Sequence, residues 1–339
     1  RLSTFGLPEG RFRVHAPHLS TAGTRPSPPT RNAQRKEDVM HDHSDIRIGT
    51  LAGRNEQTAA YIEAILPHGF ESFEINFWQD LHGVDLKHLA SDTRRVLEGS
   101  GAVISCLGVY GNPLDPAHPK QAETLKAWKA CIDHAPRFGC DLVCGFAGRI
   151  IGKPIPESMK AFRKIFGELS RRAADKGVRI AFENCDMGGN WQSGDWNIAH
   201  GPDAWEMMFH EVPAANLGLE WEPCHQMVKL IEPLPQLRKW VKRIFHVHGK
   251  DATIYWDVIR EHGMGGALPT VHHRTPGFGD TNWSDVISEL RRHGFKGAID
   301  IEGWHDPVYR GDLEMTGQVR GLNYLKQCRG GAFIANPDV

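Results

Sequence analysis

The stretch Ile299-Asp300-Ile301-Glu302 has the pattern of a short buried strand that ends in a carboxylate and runs directly into a polar loop. Because side chains alternate between the two faces of a strand, each terminal acid or imidazole in such a stretch points away from its apolar neighbours. Three earlier stretches have the same form, an apolar run that ends in Glu or His: Ile180-Ala181-Phe182-Glu183, Leu217-Gly218-Leu219-Glu220-Trp221-Glu222 and Ile244-Phe245-His246-Val247-His248. The four stretches predict polar side chains gathered at the ends of neighbouring strands.

The rest of the chain alternates between strand-like and helix-like segments from residue 46 onward. Predicted strands cover residues 46–49, 73–76, 103–108, 142–146, 179–183, 217–221, 244–248 and 298–302. Predicted helices cover residues 55–68, 85–98, 117–138, 157–176, 202–210, 235–242, 283–293 and 312–327, with a long polar loop over 249–281. Strands that alternate with helices imply a parallel sheet. Eight such units predict an α/β fold, a single-domain (β/α)8 TIM barrel, whose active site lies at the carboxyl ends of its strands. A doubly wound sheet is the alternative, but it would not bring strands five to eight together around one site.

The two ends of the chain differ from this pattern. Residues 1–39 are rich in Pro, Ser, Thr and Arg and have few large apolar side chains. Such a segment cannot offset the entropy of ordering, so we expect a disordered N-terminal extension, with Met40 as a plausible start of the folded protein. The predicted barrel then covers residues 40–330, and residues 331–339 form a flexible tail.

Composition excludes several classes of protein. The formal net charge of the 339 residues is -1, which provides no strong field for nucleic acid or a membrane surface. No apolar run approaches the ~18 residues that a membrane helix needs. The 7 cysteines are scattered and no secretory signal is visible, so we expect reduced thiols and a cytoplasmic protein.

The strand ends predict a metal site. An unpaired carboxylate inside a barrel is costly, so such groups are paired or bind a cation. Glu183, Glu222, His248 and Glu302 stand at the ends of strands five to eight, although Glu220 is an alternative to Glu222. Three carboxylates and one imidazole suit Mn²⁺ best, with Mg²⁺ or Co²⁺ as alternatives. The residues one layer deeper on the same faces, which we expect to orient the ligands, are Glu220, His246 and Asp300.

The loops beyond the strands indicate a sugar substrate. Trp191 follows strand five and Trp304 follows strand eight, where an indole ring can stack on a sugar. Lys250, Arg274 and Arg149 are candidate anion-binding residues, and His272-His273-Arg274 is a candidate wall of the site. No phosphate-binding fingerprint is visible, so we expect an unphosphorylated sugar or a glycoside.

The chain resembles the sugar phosphate isomerase/epimerase superfamily, the xylose-isomerase-like TIM barrels, from about residue 45 to 328. The stretches that carry the resemblance are Glu183-Asn184-Cys185, Gly218-Leu219-Glu220-Trp221-Glu222-Pro223-Cys224-His225, His246-Val247-His248-Gly249-Lys250-Asp251, Pro276-Gly277-Phe278-Gly279 and Ile301-Glu302. The resemblance implies that the metal ligands are Glu183, Glu222, His248 and Glu302 and that His225 binds the substrate. The superfamily usually has Asp where this chain has Glu222. The resemblance also implies that the protein is a homo-oligomer.

The expected chemistry is proton transfer next to a carbonyl. A divalent ion that chelates a ketose makes its α-hydrogen more acidic and stabilises the enediolate. The resemblance further implies that Glu183 and Glu302 act as base and acid besides binding the metal. The chain is therefore predicted to be a metal-dependent sugar isomerase or epimerase.

Two alternative activities are open to a metal-binding barrel of this kind. The first is a lyase that cleaves a 3-oxo-glycoside by β-elimination, as in similar barrels that are catalytic subunits of C-glycoside deglycosidases and need a small partner subunit. The second is a metal-dependent phosphodiester hydrolase, which the near-zero net charge disfavours because no basic face for nucleic acid is indicated.

Overall fold

Eight parallel strands close into a barrel in the computed structural model, which describes residues 45–53, 55, 57–303 and 305–330. The barrel strands are β1 (Arg47–Ala52), β2 (Ser72–Asn76), β3 (Val103–Val109), β4 (Leu142–Gly145), β5 (Arg179–Glu183), β6 (Leu217–Trp221), β7 (Ile244–Gly249) and β10 (Ala298–Ile301). Their order around the barrel is β1-β10-β7-β6-β5-β4-β3-β2. The predicted TIM barrel is confirmed and the doubly wound sheet is excluded. The predicted N-terminal extension and C-terminal tail lie outside the described residues.

Helices surround the barrel and follow its strands along the chain. They are α1 (Thr58–Ile65), α2 (Leu86–Leu97), α3 (Gln121–Phe138), α4 (Met159–Ala174), α5 (Pro202–Glu211), α6 (Pro223–Val228), α7 (Pro233–Trp240), α8 (Trp256–His262), α9 (Trp283–Arg292) and α10 (Glu314–Arg329). Short 3₁₀ segments are Leu66–His68, Ile155–Ser158, Val241–Arg243 and Gly311–Leu313. The sequence encodes several of these boundaries. The Asp85 side chain accepts hydrogen bonds from the first backbone amides of α2, and α3 ends at Gly139 with a φ of 80°. None of the described helices has the length and apolar character required to cross a bilayer.

Apolar and polar side chains occupy opposite faces of the barrel strands. The outward faces pack on the helices; for example, the Phe182 ring lies 4.8 Å from Phe166 and 5.6 Å from Phe162, between centroids. The inward faces carry buried acids and histidines, including Asp300 and His246. The apolar face of each strand stabilises the barrel, which leaves its interior for polar side chains.

Gly49 allows the strands to approach one another around this polar interior. A Cβ atom at this position would collide with the backbone carbonyl of Ser72 and with the Asp300 carboxylate. The hydroxyl of Ser72 donates a hydrogen bond to the same carboxylate. Only glycine fits here without displacing that bond.

The prediction of a long polar loop over residues 249–281 is wrong in part. It contains β8 (Asp251–Ile254) and β9 (Val271–Arg274), which pair antiparallel, with α8 between them. Each strand has only four residues, and β9 has the polar sequence Val-His-His-Arg, so alternation of polar and apolar residues was not visible. The short helix α6 directly after β6 was also not predicted.

The C-terminal helix α10 attaches to the amino end of the barrel through buried ion pairs. Glu71, which directly precedes β2, accepts hydrogen bonds from both Nη atoms of Arg329 and from the backbone amide of Ile48. Lys326 Nζ lies 2.9 Å from Glu71 Oε1. We call Glu71, Lys326 and Arg329 the base cluster.

Candidate active site

The four candidate ligands lie together at the carboxyl end of the barrel. Glu183 is the last residue of β5, Glu222 follows β6, His248 lies in β7 and Glu302 follows β10. These strands are consecutive around the barrel, so their ends are adjacent. All four side chains are buried, with relative exposures of 6% or less. We call these four residues the mouth cluster.

Distances within the mouth cluster suit a shared cation. His248 Nδ1 lies 3.3 Å from Glu183 Oε1 and 3.6 Å from Glu302 Oε2. Potential ligand atoms of Glu183, His248 and Glu302 lie within 4.8 Å of one another, and so do those of Glu183, Glu222 and His225. Glu183 belongs to both groups and connects them.

Several of the buried polar atoms in this cluster have no hydrogen-bond partner in the described part of the chain. They are both carboxylate oxygens of Glu222, Oε2 of Glu302 and Nδ1 of His248. His225 Nε2 is 3.0 Å from Glu222 Oε1, but the two atoms do not have hydrogen-bond geometry. Leaving such groups unsatisfied costs free energy, and a bound cation would satisfy them. Oxygen-rich donors with one imidazole fit a divalent metal ion.

The electrostatics of two carboxyl groups agree with this fit. Burial, together with the negative charge of Glu302, raises the pKa of Glu183 to about 7, although His248 opposes the shift. Burial also raises the pKa of Glu222 well above its ordinary value, and the nearby charges of Glu302 and Glu183 add to this effect while Lys250 opposes it. Burial and repulsion between like charges both disfavour the ionised carboxylates, and the positive charge of a divalent cation would offset both effects.

Lys250 brings a positively charged side chain into this site. Its Nζ donates to Glu302 Oε1 at 2.9 Å and lies 3.3 Å from His225 Nε2 and 4.0 Å from Glu222 Oε2. Burial alone would lower the pKa of Lys250, but the charges of Glu222 and Glu302 outweigh it and raise that pKa well above its usual value. Burial would raise the pKa of Glu302, but Lys250, aided by His305, holds it well below the ordinary range.

The deeper layer forms a hydrogen-bonded network beneath the mouth cluster. His246 Nδ1 is 2.8 Å from Glu220 Oε1, and His246 Nε2 is 2.9 Å from Asp300 Oδ2. Glu220 Oε2 accepts a hydrogen bond from the Tyr110 hydroxyl at 2.8 Å. Glu220 is therefore hydrogen-bonded within this deeper layer, whereas neither carboxylate oxygen of Glu222 has a hydrogen-bond partner among the described residues.

Glu74 is a site residue that sequence reasoning missed. His248 Nε2 donates to Glu74 Oε2 at 2.8 Å, and Glu74 Oε1 accepts from the Tyr110 hydroxyl at 2.5 Å. With Nε2 hydrogen-bonded to Glu74, Nδ1 is the ring nitrogen of His248 that faces Glu183 and Glu302, and a bound cation would replace its proton. Glu74 stands between Phe73 and Ile75 on β2, so the alternation that singled out His246 could also have identified it.

A cavity of about 860 Å³ opens above the mouth cluster. One part of its wall is polar and includes His225, Lys250, His273, Glu302 and His305. Another part is apolar and is formed by four side chains that we call the apolar shelf: Trp78, Tyr110, Phe146 and Met187. The cavity therefore presents two chemically different surfaces to a ligand.

The predicted substrate-binding residues have different positions. His225 and Lys250 line the cavity, and both are buried. Trp191 is 37% exposed and does not line it, and Arg274 pairs with Asp306 at 3.0 Å outside its lining. Trp304 lies outside the described residues. The substrate-binding roles of these five residues remain predictions.

The predicted His272-His273-Arg274 wall and Arg149 differ in their relation to the cavity. In the His272-His273-Arg274 wall, only His273 lines the cavity. Arg149, a buried arginine, donates to the backbone carbonyls of Lys153 and Asn190. Its guanidinium therefore connects two loops of the chain.

Comparisons with known proteins agree with the fold. A family model described as "xylose isomerase-like TIM barrel" matches residues 62–328. Inosose dehydratase from Clostridium tetani (strain Massachusetts / E88) is 23% identical over 182 residues, which cover 52% of this chain and only 57% of that protein.

Solved structures share the architecture at low identity. The 3-keto-D-glucoside 4-epimerase from E. coli has a TM-score of 0.62 at 15% identity, covering 84% of this chain and 100% of that one. The IOLI protein, solved with a binding zinc atom, has a TM-score of 0.58 at 16% identity, covering 84% of this chain and 96% of that one. At these identities the likeness establishes the fold. The family model covers most of the chain, and the chain belongs to the xylose isomerase-like TIM barrel family.

Proposed function

We propose that this protein is a divalent-metal-dependent sugar isomerase or epimerase that transfers a proton at a carbon next to a carbonyl. The observation that carries the proposal is a set of buried atoms of Glu222, His248 and Glu302, beside Glu183, that have no hydrogen-bond partner among the described residues. A bound divalent ion, for which three carboxylates favour Mn²⁺, would polarise the substrate carbonyl and make the adjacent C–H bond more acidic.

The four residues of the mouth cluster would hold the ion. Glu222 is the second ligand in this account, because Glu220 is already hydrogen-bonded to Tyr110 and lies close to His246. Glu222 stands where the superfamily usually has Asp, and its longer side chain would reach further into the site.

Glu183 and Glu302 are the proposed proton carriers. β5 and β10 lie on opposite sides of β6 and β7, so the two carboxylates approach His248 from different directions. One carboxylate takes the proton from carbon, and the other returns a proton from the opposite face. Each positioned group contributes roughly 10²–10⁴-fold to such a transfer. Lys250, hydrogen-bonded to Glu302, would fix the orientation of that carboxylate.

An unphosphorylated sugar or glycoside is the proposed substrate class. Lys250 is the only Lys or Arg among the described residues that line the cavity, and Glu302 already binds its ammonium group. A phosphate group would need further cations or a helix N-terminus aimed at it. The 3-keto-D-glucoside 4-epimerase among the solved structures supports a sugar substrate.

Proton exchange with solvent tests the proposal. The metal-stripped protein is reconstituted with Mn²⁺ and incubated in D₂O with free ketoses and 3-oxo-glucosides, and deuterium incorporation is followed by NMR. We expect metal-dependent uptake next to the carbonyl, and its loss in Glu302→Gln. Glu206→Gln, an exposed acid paired with Lys239, is the matched control and should retain uptake. Absence of exchange across the panel with metal bound would refute the proposal.

β-Elimination is a second candidate, supported by the match to an inosose dehydratase. Proton loss next to the carbonyl would then be followed by departure of a group on the neighbouring carbon, which leaves with the bonding electrons and takes up a proton. The same experiment separates the two reactions. Epimerisation returns the deuterated sugar intact, whereas elimination releases the leaving group and an unsaturated ketone.

A further inference from the structure

We propose that the apolar shelf is a subsite for an apolar group attached to the substrate's sugar ring, so that the preferred substrates are glycosides with a flat apolar aglycone. This inference rests on the proposed function, since it takes the mouth cluster as the place where the sugar reacts. It adds the chemical class of the substituent and the residues that select it.

The backbone of the shelf provides the first observation. Four non-glycine residues in the described part of the chain have positive φ, and two of them, Trp78 (57°) and Met187 (50°), line this cavity. Large side chains rarely adopt that conformation, because the Cβ atom crowds the neighbouring carbonyl. Such strain persists where the surrounding structure imposes it, and it is concentrated at ligand sites.

Hydrogen bonds fix Trp78 directly and, in the second loop, fix the two residues that flank Met187. The Trp78 amide donates to Asn76 Oδ1 at 2.8 Å, and the Trp78 carbonyl accepts from the Tyr110 amide at 2.7 Å. Next to Met187, the Asp186 side chain accepts from the Gly188 amide at 3.0 Å and pairs with Lys229 at 2.6 Å. Two separate loops, after β2 and after β5, are thus fixed so that each presents an apolar side chain to the same cavity.

The shelf is a continuous apolar surface. The Phe146 ring lies 5.3 Å from Tyr110 and 6.3 Å from Trp78, both in edge-to-face contact. Trp78 and Met187 are half-buried, and they pack against the buried side chains of Tyr110 and Phe146. Their remaining exposed area is the part that an apolar ligand group can cover.

The shelf adjoins the mouth cluster. The Tyr110 ring lies 6.3 Å from the His248 ring, and Met187 lies four residues after Glu183, in the loop that follows β5. Because both groups line one cavity, a substituent on a sugar that reaches Glu183 and His248 would lie within reach of the shelf. The cavity volume, about 860 Å³, is near the upper end of the range for drug-sized ligands and leaves room beyond one sugar ring.

The polar part of the cavity wall would determine how a glycoside is oriented in the cavity. His225, Lys250, His273 and His305 lie on the other part of the lining and offer donors to sugar hydroxyls. The sugar would face these residues and the mouth cluster, and its apolar substituent would face Trp78 and Met187. The rival account is that the shelf stacks on the sugar ring itself.

Binding of two matched ligands distinguishes these accounts. The Mn²⁺-loaded protein is titrated calorimetrically with the methyl and the phenyl β-glycosides of 3-oxo-glucose. We expect the phenyl glycoside to bind about tenfold more tightly, the factor for one good aromatic contact. Trp78→Ala and Met187→Ala should each reduce that preference, Trp78→Phe should retain most of it, and the control Trp256→Ala, at an exposed tryptophan outside the cavity lining, should leave it unchanged.

Two results would overturn the inference. One is equal affinity of the wild-type protein for the two glycosides, and the other is equal weakening of both by Trp78→Ala, which would assign the shelf to the sugar ring. Thermal unfolding of each variant verifies that it is folded. Because the readout is binding, the result is separate from the proton-exchange test. Exchange without a phenyl preference refutes only the subsite, and a phenyl preference without exchange refutes only the proposed chemistry.

Discussion

Glu71 at the amino end of the barrel and Glu222 at its carboxyl end are both almost completely buried, but their surroundings differ. Glu71 binds Arg329, Lys326 and a backbone amide. Neither carboxylate oxygen of Glu222 has a hydrogen-bond partner among the described residues. A buried acid with partners contributes to holding the fold, whereas a buried acid without them is available for a ligand.

Burial also raises the pKa values of carboxyl groups at the carboxyl end of the barrel. The mouth cluster has three carboxylates near one lysine, and burial raises the pKa of both Glu183 and Glu222. Without a bound cation, the buried negative charges of the mouth cluster are therefore unfavourable. Substitutions at the two ends should therefore have different consequences.

The largest effect on stability is expected at the base cluster. Glu71→Gln removes the charge that Arg329 and Lys326 pair with, and breaking a buried ion pair costs about 3–5 kcal/mol of the free energy of unfolding. Urea denaturation measures the change. The matched control is Asp141→Asn, which removes an exposed pair with Arg179 and should cost at most about 1 kcal/mol. Equal effects of the two substitutions would contradict the assignment of the base cluster to stability.

A pH dependence of the metal-free protein is the next largest effect. The pKa of Glu183 rises from 4.5 to about 7 on folding, so the folded state holds this proton more tightly than the unfolded state. The associated stability is complete at low pH and is lost as pH rises through this window, by on the order of 3 kcal/mol. Denaturation in the presence of a chelator at several pH values measures the loss. Glu183→Gln should flatten the profile, and an unchanged slope in that variant would assign the effect elsewhere.

A smaller effect, on metal affinity, is expected from substitution of Glu74, which orients His248. Glu74→Gln weakens the acceptor of the His248 Nε2 hydrogen bond, and loss of such a partner typically lowers metal affinity by about 10–100-fold. Calorimetric titration with Mn²⁺ measures the affinity, and Glu206→Gln serves as the surface control. Tyr110→Phe, one step further from the ion, should have a weaker effect in the same direction. An affinity unchanged in Glu74→Gln would show that His248 does not depend on this contact.

Local patterns in the sequence predicted the barrel and the positions of the mouth cluster. Apolar runs such as Ile244–His248 alternate with helical periods, and the residues that end these runs converge because parallel strands place their carboxyl ends at one edge. The family resemblance, confirmed by the family model, assigned the same residues.

Features that depend on three-dimensional contacts were not predictable in this way. Alternation on β2 marks Glu74 as an inward-facing acid, but its role comes from a contact with His248, which is 174 residues away. The positive φ values of Trp78 and Met187 occur in loops whose hydrogen bonds involve specific neighbours such as Asn76 and Asp186, and they leave no mark in the composition. The β8–β9 pair was missed because four-residue strands with polar faces resemble a loop.

Metal binding by Glu222→Gln is the most direct test of the contrast between the two ends. Metal-free wild-type protein, Glu222→Gln and Glu71→Gln would each be titrated with Mn²⁺ by calorimetry at neutral pH. Our expectation is that the wild type binds one ion per chain, that Glu71→Gln binds it equally well while folded, and that Glu222→Gln loses most of the affinity. Wild-type affinity in Glu222→Gln, or no binding by the wild type, would contradict it.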